Sequence, residues 1–345
     1  MRVLVVKRDK LGDLLLTTAV LEHMKAMQPG LELHLLANDY NAWVARDEPA
    51  LERIWIYRRA RDAGRLRPAA ALAQLPLSWK LRRARFDCAI AMGGEESPRA
   101  VRRAIATGAR RVIAYVRNPE RYGPRLTDPL PVPSSGHEIA RMLALLAPLR
   151  IAAPAHTPAP AYRWPAEGER FAQRWLAERG LAPGRYIVLG IGARFACKQP
   201  TFAQILRWSR QLRERWEMPT VFLWTPGQVD AGFYRGDDDI AARVIAQRLP
   251  WLHPHRGTLS EALALVAHAA TCVMPDSGLM HFAAASDGGV VGLFADPGET
   301  GAAERWGPVG NRARFLEARH AVAEISDNAL SEALEPLLAD RVTIH

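Results

Sequence analysis

The sequence predicts an α/β protein made of two parallel-sheet halves. Three observations predict it. Short runs of valine, isoleucine and leucine recur along the chain, stretches with helical spacing separate them, and one proline-rich segment interrupts the alternation near the middle. Short apolar runs are what a strand buried on both faces requires. Strand–helix–strand alternation places such strands in a parallel sheet covered by helices. The chain has 345 residues, 49% of them hydrophobic, enough for two domains with cores of their own.

Residues 3–6 are the first expected strand. A loop follows at 8–13, and residues 14–27 then carry apolar side chains at helical spacing until Pro29-Gly30 stops them. Further strands are expected at 31–36, 54–57, 88–92 (closed by Gly93-Gly94) and 112–116. Residues 147–165 hold five prolines and many alanines, which makes an extended connector. Beyond it a helix at 167–179 leads into a strand at 186–190. The alternation continues with a helix at 202–216, a strand at 220–224, helices at 240–249 and 260–270, a strand at 271–274, a last strand at 289–294 and a closing helix at 326–339. These are two Rossmann-like halves, expected at 1–155 and 156–345, with the last helix free to pack back on the first half. Such a pair leaves a cleft between the carboxyl ends of two sheets, where ligands bind.

The net charge of +10 is unevenly placed. Residues 1–155 hold 26 Lys/Arg against 15 Asp/Glu, a balance of +11, and residues 156–345 hold 20 against 21. The excess concentrates at 58–85 and 99–125, so the first half is expected to meet something anionic, unless it is simply a solvated arginine-rich face. No apolar run is long enough to span a membrane, and the N-terminal apolar stretch is too short for a signal peptide. Three scattered cysteines (Cys88, Cys197, Cys272) argue against a disulfide framework and suit a reducing cytoplasm.

Several residues could carry chemistry. Asp13, after Gly12, lies just beyond the first strand, where a carboxylate can act as a general base toward a hydroxyl or cap the following helix. The loop lacks both Gly-x-Gly-x-x-Gly and Gly-x-x-x-x-Gly-Lys-Ser/Thr, which excludes the dinucleotide and P-loop fingerprints. Gly190 and Gly192 permit close backbone approach, and Lys198 in the same loop can neutralise a pyrophosphate or be a surface lysine. Pro275-Asp276-Ser277-Gly278-Leu279-Met280-His281 follows an apolar run and opens a helical pattern. Helix N-terminal amides attract phosphate, and His281 can add a donor; an ordinary cap and turn would use the same residues. His137-Glu138 reads as a helix start. His253-Pro254-His255 has no third ligand nearby, so no metal is expected there, and Asp237-Asp238-Asp239 reads as a solvated loop at a helix start.

Lys10-Leu11-Gly12-Asp13-Leu14-Leu15-Leu16-Thr17-Thr18 resembles the N-terminal motif of the bacterial heptosyltransferases of glycosyltransferase family 9. Gly257-Thr258-Leu259-Ser260-Glu261, then 275–285, with Trp306-Gly307-Pro308 as a tail, resembles that family's donor motif, and 194–200 is similar to its lysine loop. The resemblance runs nearly the whole chain. It implies a GT-B fold and inverting transfer without metal or cofactor, from an ADP-sugar, typically ADP-L-glycero-D-manno-heptose, to lipopolysaccharide core. By matching position Asp13 is the base. Lys198, Gly192, Asp276, Ser277, Gly278, Leu279 and His281 face the donor, with Gln228 or Asp230 as candidates for the ribose. Lys10, Gly12, Arg58 and Arg59 are assigned to the acceptor. The family often has Gly where Ala295 stands. A metal-free site needs another countercharge for the leaving diphosphate, and a lysine with a helix N-terminus can supply it. The basic half suits a phosphorylated glycolipid and peripheral contact with the inner face of the cytoplasmic membrane. Alternatives are another nucleotide sugar, a capsule or protein acceptor, a sugar-nucleotide epimerase, and a non-enzymatic anionic-surface binder. Nucleic acid is not expected as a partner, since no aromatic-interleaved RNA motif or helix-turn-helix is present.

Overall fold

The computed structural model describes residues 1–59, 61–62, 65–66, 74–228 and 236–342. Asp230 and part of the basic run at 58–85 lie outside them. The chain divides into two compact units, Met1–Arg163 and Trp164–His345, the division falling inside the proline-rich stretch.

The first unit is built from β1 (Arg2–Val6), α1 (Leu11–Met27), β2 (Glu32–Asn38), β3 (Arg53–Tyr57), the small pair β4 (Arg61–Asp62) and β5 (Arg65–Leu66), α2 (Gln74–Arg83), β6 (Cys88–Ala91), α3 (Pro98–Ala106), β7 (Arg111–Tyr115), β8 (Asp128–Leu130) and α4 (Glu138–Ala144). Its main sheet has the order β3-β2-β1-β6-β7-β8. β1 pairs in parallel with β2 on one side and β6 on the other, Val3 opposite Leu33 and Cys88. Val3, Leu4, Val5 and Val6 are fully buried, as a central parallel strand demands.

The second unit repeats this plan with α5 (Ala166–Ala177), β9 (Ile187–Gly190), α6 (Phe202–Trp216), β10 (Thr220–Leu223), α7 (Asp238–Ile245), β11 (Leu252–His255), α8 (Leu259–Ala267), β12 (Thr271–Pro275), α9 (Gly278–Ala284), β13 (Val290–Ala295), β14 (Ala313–Ala318) and α10 (Asp327–Val342). The sheet order is β11-β10-β9-β12-β13-β14. Leu330, Leu334, Leu337 and Leu338 of α10 bury in this unit's own core with Trp208 and Leu212 of α6. In each unit the strand order reverses direction beside the first strand, between β1 and β6 and between β9 and β12. At such a switch point the connections leave on opposite faces and open a crevice at the carboxyl ends of the strands.

Besides the small pair β4 and β5, three strands of the main sheets escape the sequence pattern. β8, β11 and β14 end their sheets, and the run at 289–294 is therefore not the last strand. β11 contains Pro254, which an edge strand tolerates. β14 (ARFLEA) carries two charges, Arg314 and Glu317, because much of it is exposed. The first helix begins at Leu11 rather than at residue 14.

Candidate active site

In the first unit the switch point gathers one lysine and three carboxylates. Lys7 follows β1 directly and is almost fully buried. Its ammonium lies 3.3 Å from Asp9 Oδ2. Burial pushes the Lys7 ammonium down, but the pull of Asp9, Asp13 and Glu138 outweighs it and holds the group above the usual lysine value. Asp13 sits in the first turn of α1, where its Oδ2 accepts from the Lys10 backbone N–H at 3.0 Å. It therefore closes the helix start from inside the turn instead of capping from outside it. The surrounding protein is dense although Asp13 keeps some solvent exposure. Desolvation pushes its carboxyl up, Lys7 draws it down, Asp9 pushes it up again, and it comes to rest at about 6. The opposing wall comes from the loop after β6. Gly94 N–H donates to Glu138 Oε1 at 2.7 Å. A Cβ at Gly94 would stand 2.3 Å from Glu138 Oε2, so only glycine leaves room for this buried carboxylate.

Lys7 was not singled out in the sequence, and Glu138 only for a place at a helix start. A lysine after an apolar strand reads as a surface residue, and Glu138 reads as part of a helix start. His137 does accept from the Ile139 N–H, but the Glu138 carboxylate turns inward to Gly94. The one available signal was Lys7's position at the carboxyl end of the first strand. Of the residues assigned to the acceptor, Gly12 is buried in α1 and Lys10 is exposed at its start. Arg59 donates to Asp39 Oδ1 at 3.1 Å and stacks near Tyr40, while Arg58 is exposed.

In the second unit the loops after β9 and β12 meet. The short helical turn Ala196–Lys198 carries Lys198 inward, where it is 2% exposed. Its ammonium pairs with Asp276 Oδ2 and donates to the Thr300 carbonyl at 3.0 Å. Lys198 is thus a buried, oriented cation and not a surface lysine. Thr300 is presented by the turn Pro297–Thr300, entered through Asp296 in the left-handed region at φ 51°. Ser277 holds the N-cap position of α9 without bonding the helix through its side chain. The first-turn amides at Gly278 and Leu279 have no carbonyl four residues behind them within the helix. Gly278 is exposed, whereas His281 turns to the buried side of the same helix.

Gly192 is explained from inside the protein: a Cβ there would stand 2.5 Å from Thr225 Oγ1. The aspartates at 237–239 do stand at a helix start, but Asp237 is not solvated. Asp237 is 2% exposed, accepts from the Thr225 N–H at 3.1 Å and from Gln199 Nε2 at 2.6 Å, and ties the loop after β10 to the Lys198 loop. Asp238 accepts from Trp224 Nε1 and Gly227 N–H and pairs with Arg256. The charge triplet hid this, because a buried carboxylate needs donors distant in sequence. Gln228 is exposed, and its carbonyl accepts from Gly236 N–H. Thr258 and Glu261 close a capping box at the start of α8. Among the described residues no group of three or more His, Cys, Asp or Glu side chains is placed to hold a metal.

A model of glycosyltransferase family 9 (heptosyltransferase) matches residues 75–328, more than half of the chain. The chain belongs to glycosyltransferase family 9. It is a glycosyltransferase, similar over its whole length to solved heptosyltransferase structures. One is the E. coli ADP-heptose LPS heptosyltransferase II, 19% identical, covering 99% of each chain with a TM-score of 0.73. Another is the family 9 glycosyltransferase of Veillonella parvula, 18% identical, covering 98% of this chain and 97% of that one with a TM-score of 0.78. A third is the E. coli heptosyltransferase WaaC with ADP, 18% identical, covering 98% and 100% with a TM-score of 0.72. At these identities the likeness establishes the fold, two Rossmann-like units of the GT-B class. No curated protein matches the chain. The family match includes Lys198 and Asp276 but begins after Asp13.

Proposed function

We propose that this glycosyltransferase moves a heptose or related sugar, with inversion and without a metal, from an ADP-sugar held by the second unit to a phosphorylated lipopolysaccharide-core or other surface-glycan acceptor held by the first. The observation that carries the proposal is the placement of the Asp13 carboxyl just beyond the carboxyl end of β1, fixed by the Lys10 N–H and desolvated within the field of Lys7, where its pKa rises to about 6. At neutral pH such a group is ionised, yet more basic than an ordinary aspartate, which suits it to accept a proton from an attacking hydroxyl. Direct attack on the anomeric carbon needs one base on the acceptor side and countercharge for the diphosphate on the other, and gives inversion.

Lys198 supplies that countercharge. It is buried, oriented by Asp276 and the Thr300 carbonyl, and adjoins the first turn of α9. A diphosphate can compete with Asp276 for the ammonium and draw on the first-turn amides. A nucleotide-sugar donor is further supported by WaaC, which was solved with ADP. Calorimetry with ADP, UDP and GDP in the absence of divalent metal tests the reading. Selective ADP binding is expected. Preference for UDP or GDP would overturn the donor, and binding that requires a divalent metal would overturn metal independence. The reading also places the chain in the cytoplasm, in peripheral contact with the membrane that carries its acceptor. Among the described residues no helix is long and apolar enough to cross a membrane.

A further inference from the structure

The amino edge of the first unit's sheet carries a feature the transfer reaction does not use. A cavity of about 440 Å³ opens there, lined by Arg82, Arg110 and Arg125 together with Gly108 and Thr127. Arg82 lies on α2 ahead of β6, Arg110 immediately precedes β7, and Arg125 precedes β8. All three side chains therefore gather at the amino ends of the strands. Asp13 belongs to the carboxyl ends, and a five-residue strand such as β1 separates the two edges by roughly 17 Å. The arginines are incompletely neutralised. Arg110 has its nearest carboxylate, Asp87, at 3.9 Å and is 86% exposed. Arg82 donates Nε to the Ala106 carbonyl at 3.0 Å, which leaves its terminal amino groups for a ligand.

Beside this cavity α2 is apolar on two faces. Leu81 and Leu77 pack inward on the core of the unit. Leu75 and Trp79, four residues apart and so on one stripe, face outward at 66% and 58% exposure. The other nine tryptophans of the chain are buried or half-buried. Arg83 continues the outward stripe, its guanidinium 4.7 Å from the Trp79 ring centre, and Lys80 and Arg82 flank it. An outward leucine and tryptophan set among cations is the composition of a helix that lies in a bilayer interface. The apolar side chains enter the acyl boundary and the cations reach the headgroups.

We infer that α2 and the cavity of Arg82, Arg110 and Arg125 form a docking surface for an anionic bilayer, with Trp79 and Leu75 inserted and a phospholipid phosphate held in the cavity. The inference rests on the proposed function only in taking the acceptor to be lipid-borne. Charge complementarity selects the occupant: the first half of the chain carries the whole positive excess, and guanidinium groups bind phosphate in bidentate fashion. The surface would hold the enzyme at the membrane by the edge opposite to its catalytic loops.

The test is flotation of the full-length protein with vesicles of phosphatidylcholine mixed with phosphatidylglycerol, and with vesicles of phosphatidylcholine alone. The wild type is expected to float with the mixed vesicles only, and less at high salt. A basic residue near an anionic surface contributes about fivefold in partitioning, so Arg110→Gln/Arg125→Gln should weaken it by about 25-fold. Trp79→Ser should weaken it by at least about tenfold. Arg110→Lys/Arg125→Lys should retain most of it, which separates lost charge from a damaged fold. Flotation of the Gln and Ser variants at the wild-type level, equal flotation on both vesicle types, or no flotation at all would each overturn the inference. Arg110-dependent binding of inorganic phosphate without flotation would also overturn it, in favour of a soluble phosphate ligand. ADP calorimetry on the same samples keeps the two readings apart. A protein that floats but binds no ADP loses the donor assignment and keeps the docking surface, and the opposite result does the reverse.

Discussion

Lys7 and Lys198 are both buried lysines at the switch point of a parallel sheet, and they are balanced differently. Lys7 faces three carboxylates, Asp9, Asp13 and Glu138. Lys198 faces one carboxylate, Asp276, and one carbonyl, that of Thr300. The topology around them is the same in both units, so the difference lies in the loops. Desolvation pushes the Asp13 carboxyl up, Lys7 draws it down and Asp9 pushes it up again, which leaves it at about 6. An ammonium matched to a single acid forms a neutral pair that an incoming anion can reopen. One scaffold thus holds a buried lysine among several carboxylates in one unit and against a single carboxylate in the other.

The largest effect should come from removing the base. Asp13→Asn is expected to lower kcat by about 10²- to 10⁴-fold, the usual contribution of a positioned general base. Steady-state turnover with an ADP-sugar and a glycan acceptor measures this, with ADP calorimetry as a control that should not move. The folded pKa of Asp13 is raised, so the folded state binds this proton more tightly than the unfolded chain does. Asp13 therefore costs stability as pH rises from the ordinary carboxylate range through about 6, and the cost remains at higher pH. Asp13→Asn removes that cost and should melt no lower than the wild type at neutral pH. Near-wild-type turnover would reduce Asp13 to the residue that closes the first turn of α1.

The pair in the second unit should show itself in binding. Lys198→Ala removes a charged hydrogen-bond donor and leaves Asp276 facing the diphosphate. ADP affinity is expected to fall by roughly 10- to 100-fold, the range for a hydrogen bond involving a charged group. Unchanged affinity would remove Lys198 from the donor site and break the contrast between the two lysines.

The elements that position these sites were readable because they are buried on both faces. Residues 3–6, 88–91 and 187–190 are continuous apolar runs whose environment leaves no other pattern open. β14 was not readable, because Arg314 and Glu317 interrupt its apolar residues along an exposed edge. Within the sites, Asp13, Lys198 and Asp276 stood out by their places after strands. Lys7, Glu138 and Asp237 did not, although they set the electrostatics. Glu138 and Asp237 are buried charges satisfied by residues far away in the chain, Glu138 by Gly94 and Asp237 by Thr225 and Gln199, while Lys7 pairs with nearby Asp9 but is buried only because the fold closes over it. A lone charged letter reads as surface, and only the fold brings in its partners.

The smallest and most discriminating effect concerns Lys7 itself. Lys7 draws the Asp13 carboxyl down against the upward push of desolvation and of Asp9. Lys7→Met keeps the length and apolar stem of the side chain and deletes the charge. The Asp13 pKa should rise by about one unit or more, the usual effect of losing a close opposite charge. The acid limb of kcat/KM, expected near 6 in the wild type, should then move up by the same amount. Activity would fall by about tenfold on the acid side of neutrality and recover above it. A change confined to packing would lower activity equally at every pH. An unmoved limb with lowered melting temperature would make Lys7 a structural residue, and the two switch points would then differ in the position of their carboxylates and not in how a lysine is balanced.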